Sequence, residues 1–110
     1  MKNISIFLIL LTIVVASCKE ENLEPSCLND KKSELEANPC DEGVQISLYN
    51  FQDGNVYLLE QGNCIADGTT EVIDAACNTL GFLGGLSGSS EINGVNFYEN
   101  STFIEVVWEK

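Results

Sequence analysis

The chain is 110 residues long, with seventeen acidic side chains against five basic ones, no histidine and a net charge of −12. That length holds one domain, and that charge excludes nucleic-acid binding, because phosphate contacts and counterion release need clusters of Lys and Arg. Anionic lipid headgroups repel such a domain as well.

The N-terminus is the one strongly apolar region. Lys2 precedes the run Ile4 to Val15, which is too short for a helix spanning a bilayer, at about 20 residues, and right for the apolar part of a signal peptide, at about 7–15. Val15, Ala16 and Ser17 stand before Cys18, and an aliphatic residue, two small ones and then Cys resemble the bacterial lipoprotein box. The resemblance implies cleavage before Cys18, a lipid on its thiol, and membrane attachment through the acyl chains, each buried CH₂ contributing about 0.8 kcal/mol. An ordinary secretory signal with an unmodified Cys18 is the alternative. Lys19 stands where an inner-membrane retention signal has Asp, which points to the outer membrane, and "CKEEN" resembles a signal for export to the cell surface. Residues 1–17 are therefore expected to be a signal peptide, and 18–26, polar and interrupted by Pro25, a lipidated tether facing the periplasm or the exterior.

Setting Cys18 aside leaves Cys27, Cys40, Cys64 and Cys77, an even number that in an oxidising compartment predicts two disulfides. Zinc is the competing use, but the spacings are wide, C-x-x-C is missing and histidine is absent. No metal or cofactor is expected.

The domain, 27–110, opens with "CLNDKKSELEAN", whose Leu28 and Leu35 share a face, with Ser26 as an expected cap and Asn38-Pro39 as a stop. A helix over about 28–37 is predicted. Next, "GVQISLYNFQDGNVYLLEQGNC" is two β-rich runs around Asp53-Gly54, a strong hairpin signal. If those two residues form the turn, Gln52 faces Asn55, and Val44, Ile46 and Leu48 share the core face with Tyr57 and Leu59. Cys40 and Cys64 then flank the open end, which makes a Cys40–Cys64 clasp natural and leaves Cys27–Cys77 to tie the helix to the second half. Cys27–Cys40 with Cys64–Cys77 is the alternative. Further on, Val72 and Ile73 precede a turn, with Leu80 and Phe82 after it. A closing strand, "STFIEVVWEK", alternates so that Ile104, Val106 and Trp108 face one side, Trp108 being a core lid rather than a ligand platform. The expectation is an α+β two-layer fold, one N-terminal helix on an antiparallel sheet of about five short strands, stapled by two disulfides.

"CLNDKKSEL", "LYNFQDGNVYLL" with "GNC" behind it, "VIDAACNTLGFLGGLSG" and a tryptophan just before the C-terminus resemble a family of small uncharacterised domains in lipoproteins of Gram-negative bacteria. The resemblance implies a compact α+β fold and a lipoprotein context, and brings no activity and no site residue.

Catalytic chemistry lacks its usual parts. Histidine is absent, the mature cysteines are assigned to disulfides, and Ser87, Ser89 and Ser90 have no base signature nearby. The adjacent acids Asp41 and Glu42 point to opposite faces of a strand, and a domain this small offers little cleft to tune them. "GFLGGLSGSS" lacks the lysine of a phosphate-binding loop, and neither "DGN" nor "DGTTE", with Asp67 and Glu71, matches a calcium loop. A non-enzymatic protein-binding or accessory module for an unknown envelope or extracellular protein is expected, with the glycine-rich loop of Leu83, Gly84, Gly85, Leu86 and Ser87 as its contact element. A disulfide-braced inhibitor of a secreted or envelope enzyme, such as a protease or muramidase, is the runner-up, and a hydrolase comes third.

Overall fold

The computed structural model describes residues 24–64 and 68–110. The expected Cys18 anchor, most of the tether and Asp67 lie outside the described residues. One helix, α1 (Leu28–Glu36), is followed by strands β1 (Val44–Phe51), β2 (Gly54–Gln61), β3 (Thr69–Asp74) and β4 (Thr79–Gly84), the short pair β5 (Glu91–Ile92) and β6 (Val95–Asn96), and β7 (Ser101–Glu109). Five of these form one antiparallel sheet in the order β4-β3-β2-β1-β7, with α1 packed on it. The predicted α+β class is confirmed.

Leu28 and Leu35 lie two helical turns apart, so both point at the sheet, and both are buried. The N-cap is Cys27, without a side-chain capping bond, in place of the expected Ser26 side chain; Ser26 accepts from the Asn29 N–H through its backbone carbonyl instead. At the other end Asn38 performs two tasks before Pro39: its Oδ1 accepts from the Cys40 N–H at 2.8 Å, and its Nδ2 donates to the Gln61 carbonyl at 3.1 Å. The helix exit is thereby stitched to β2.

The β1–β2 turn is displaced by one residue from the Asp53-Gly54 expectation. Gln52 (φ 53°) and Asp53 (φ 65°) occupy its two centre positions, and Phe51 pairs with Gly54. Both centre residues having positive φ is the primed-turn geometry that matches strand twist. The register changes by two, so Ile46 faces Leu59 and Leu48 faces Tyr57. Because side chains alternate with period two, the expected core face survives the shift.

Both predicted disulfides are present. Cys40–Cys64, Cα atoms 5.7 Å apart, clasps the open end of the β1–β2 hairpin; Cys27–Cys77, 6.2 Å apart, joins the start of α1 to the β3–β4 turn. The alternative pairing is overturned.

Two features depart from the two-layer expectation. The sheet buries both faces: Leu28, Leu35, Val44, Ile46, Tyr57, Leu59 and Ile73 form the core under the helix, while Phe51, Val56, Leu58, Val72, Leu83, Ile92 and Phe97 form a second core. The chain from β5 to β6 and on to Phe97 supplies the cover of that second face. The closing strand also loses its expected alternation. Irregularities in the β1–β7 ladder leave Ile104 and Val107 without partners, so Trp108 faces Ile46 whereas Val106 faces Ser47, on the opposite side. Val107 and Trp108 both pack on the helix-side core, as a bulge that places two consecutive residues against one allows. Trp108 is the partial lid that was expected.

Candidate interaction surface

The predicted contact loop is built from glycines that need the left-handed region. Gly84, Gly85 and Gly88 have φ of 81°, 80° and 65°, which side chains with a Cβ rarely adopt. The loop is pinned by backbone bonds, Gly84 N–H to the Ser89 carbonyl at 2.8 Å, Gly88 N–H to Gly85 at 3.1 Å and Gly85 N–H to Gly68 at 3.2 Å. Leu83 does not belong to its contact surface. It is 2% exposed and packs in the second core, because alternation along β4 turns it inward. Leu86 is the opposite case, 89% exposed at the loop tip, with Ser87 exposed beside it.

A second surface escaped the reading of the sequence. Phe97 is fully buried on the second face, in contact with Phe51 at 4.9 Å and Tyr49 at 5.2 Å between ring centroids. Tyr49 meets Phe103 edge-on at 5.5 Å, and Tyr98 meets Phe97 edge-on at 5.3 Å. Such edge contacts are the favoured aromatic geometry. The outer rings of this cluster, Tyr98 at 57% and Phe103 at 53% exposed, face solvent. "YNF" at 49–51 signals two aromatics on one strand face, but the partners at 97, 98 and 103 are brought to it only by the path of the chain.

Beside the rings lies a buried polar group that is fully paired. Ser47 donates through Oγ to Glu60 Oε2 at 2.7 Å, and Gln45 Nε2 donates to the same oxygen at 3.3 Å. The Glu60 carboxylate reaches the tyrosines electrostatically. Burial first, then Glu60 and Tyr98, push the Tyr49 phenol above its usual 10; burial and then Glu60 do the same to Tyr98. Both phenols are neutral donors at physiological pH.

Of the other sequence candidates, Glu71 accepts a hydrogen bond from Thr79 Oγ1 at 2.5 Å. Asp41 meets Lys110 Nζ at 3.3 Å, the same ammonium that donates to the carbonyls of Asn38 and Cys40. Among the described residues, no three of Cys, Asp and Glu come together as a metal cage would need. A polar cleft of about 170 Å³ lies between Gly43, Glu60 and Gly62 on one side and Gly68, Thr69 and Thr70 on the other. It is smaller than the roughly 300–1,000 Å³ of ordinary small-molecule pockets.

Taken together, these features define a class: a small α+β domain, stapled by two disulfides, whose conspicuous surface elements are a pinned loop and an aromatic strand edge. Residues 32–110 match the family described as Domain of unknown function (DUF6970), and the chain belongs to that family. No match was found among the curated proteins or the solved structures.

Proposed function

We propose that this is a lipid-anchored envelope protein, attached through Cys18 to the outer membrane, whose domain is a non-enzymatic binding or accessory module for an envelope or extracellular protein. The N-terminal "VVASC" supports the anchor, and the two disulfides support an oxidising compartment. The observation that carries the binding role is Leu86, an apolar side chain 89% exposed at the tip of a loop held by its own backbone bonds. An apolar tip on a pre-ordered loop suits recognition, because little entropy is lost when it docks. The same rigidity favours a second reading, inhibition of a secreted or envelope enzyme such as a protease or muramidase.

Photo-crosslinking in intact cells, with a crosslinking amino acid at position 86, tests the role. A discrete partner captured there, and lost in Leu86→Asp, is the expected result; silence at position 86 across growth conditions would count heavily against a loop-mediated module. Purified protein against a panel of proteases and muramidases tests the second reading, which a uniformly inactive panel would sink. Incorporation of labelled palmitate that Cys18→Ser abolishes is the expected sign of the anchor.

A further inference from the structure

Strand β7 ends the sheet. Its inner side pairs with β1 along Ser101 to Glu109, and among the described residues no strand pairs with its outer side. Natural edge strands are commonly blunted by Pro, by charged side chains, by bulges or by a covering segment. β7 has two bulges and two glutamates but neither Pro nor Lys, and Thr102 to Val106 form an unbroken exposed run in which Phe103 and Ile104 are about half exposed. The edge borders the aromatic cluster directly, since Phe103 is part of both. The surrounding charge is mainly negative: Glu99, Glu105 and Glu109 lie on or beside β7, and the ammonium of the adjoining Lys110 is engaged by Asp41 and the Asn38 and Cys40 carbonyls, in a chain of net charge −12.

We propose that the outer edge of β7, with the exposed rings of Tyr98 and Phe103, docks a basic, extended segment of a partner protein as a sixth strand of the sheet. It deepens the binding-module reading and rests on it. Main-chain bonds to β7 supply the affinity, and side chains at alternate positions supply the selectivity. Lysine or arginine on one face of the incoming strand meets Glu109 and the rings of Tyr98 and Phe103, which lie on the second-core side of the sheet, a favourable arrangement for a cation. A second copy of this chain is the wrong occupant, because antiparallel β7–β7 pairing sets glutamate-bearing strands side by side, and like charges across a ladder are destabilising. The bulges at Ile104 and Val107 bend and twist the edge, so the incoming strand must twist with it to pair along its length.

The test uses the full chain in mild detergent and a peptide of about nine residues alternating lysine with valine, a length matched to the strand-addition mode. Two control peptides accompany it, one with glutamate for lysine and one N-methylated at alternate residues, which keeps the charge but removes half the main-chain donors. Binding of the lysine peptide should slow amide exchange within 101–109, and each control should bind at least about tenfold more weakly. Ile104→Lys, at a surface position, should weaken binding by about tenfold without changing thermal unfolding. Equal affinity for the N-methylated peptide would reduce the effect to bulk charge attraction and overturn the proposal. So would exchange protection of β7 that grows with protein concentration alone, which would assign the edge to a second copy. Photo-crosslinkers at 86 and 104 separate the two levels: capture at 86 with none at 104 leaves the binding-module reading standing and removes this one.

Discussion

At the residue scale, a few positions tolerate almost no change. Gly62 has φ of 100°, and a Cβ there would lie 2.7 Å from Cys40 Sγ and 2.9 Å from both the Glu42 carbonyl oxygen and Val44 Cγ2. Backbone and a disulfide cannot move aside cheaply, so Gly62→Ala is expected to destabilise by about 2–4 kcal/mol in denaturant unfolding; Gly88→Ala, with φ of 65° but open space around it, should cost only the backbone strain. Asp74 offers a pH test. Its carboxylate accepts from the N–H groups of Asn78 and Ala76, both at 2.9 Å, and from Asn78 Nδ2 at 3.3 Å. Led by the backbone bond from Asn78, these hold its pKa below the usual 3.8. A carboxyl with a depressed folded value contributes stability that is complete above the unfolded value and lost as pH falls through the folded one. An NMR titration should therefore find the Asp74 midpoint below 3.8, and Asp74→Ala should flatten the acid limb of the stability profile below about pH 4. The Asp74 arrangement is not visible in "VIDAACN", where the turn shows but the acceptor geometry does not.

At the scale of elements, α1 is the part that depends most on covalent help. Its buried apolar side chains are Leu28 and Leu35, and it has no side-chain N-cap, so isolated helix formation over nine residues is unfavourable. Cys27–Cys77 closes a separation of 50 residues and Cys40–Cys64 one of 24, for which chain entropy gives about 4 and about 3.5 kcal/mol. The double variant Cys27→Ser/Cys77→Ser is expected to free the helix before the sheet, with early amide exchange confined to 28–36 and β1–β2 still protected. Uniform loss of protection would show instead that helix and sheet unfold as one unit. The helix, the hairpins and the Cys40–Cys64 clasp were legible because each follows from short-range chemistry or from the parity of a strand, whereas Cys27–Cys77, separated by 50 residues, followed only by elimination. Displacing the first turn by one residue did not disturb this, since a register change of two returns every side chain to the same face. The β7 bulges were not legible: "FIEVVW" alternates acceptably on paper, and only the β1 partner dictates where the extra residues fall.

At the scale of the whole molecule, the charge is the dominant fact. A net charge of −12 on a chain of 110 residues strains the compact state through self-repulsion and keeps copies apart. Raising ionic strength from about 0.01 M to about 0.15 M shortens the screening length from about 30 Å to about 8 Å, so the melting temperature should rise with added salt, and calorimetry over that range measures it. A melting temperature insensitive to salt would mean that the acidic groups are already far enough apart to ignore one another.

The sequence by itself determined the class of the domain, the number of its disulfides, the helix-side core and the sign of its electrostatics, because these rest on composition, periodicity and turn chemistry acting over short stretches. Only the tertiary structure decided which of the two cysteine pairings forms, that the sheet has a second buried face, that Leu83 is core while Leu86 is surface, and that β7 lies at the edge beside an aromatic cluster. Those outcomes depend on which distant segments the chain brings together: Phe97 and Phe103 reach Tyr49 across about half the length of the domain, and no local pattern records a contact of that separation.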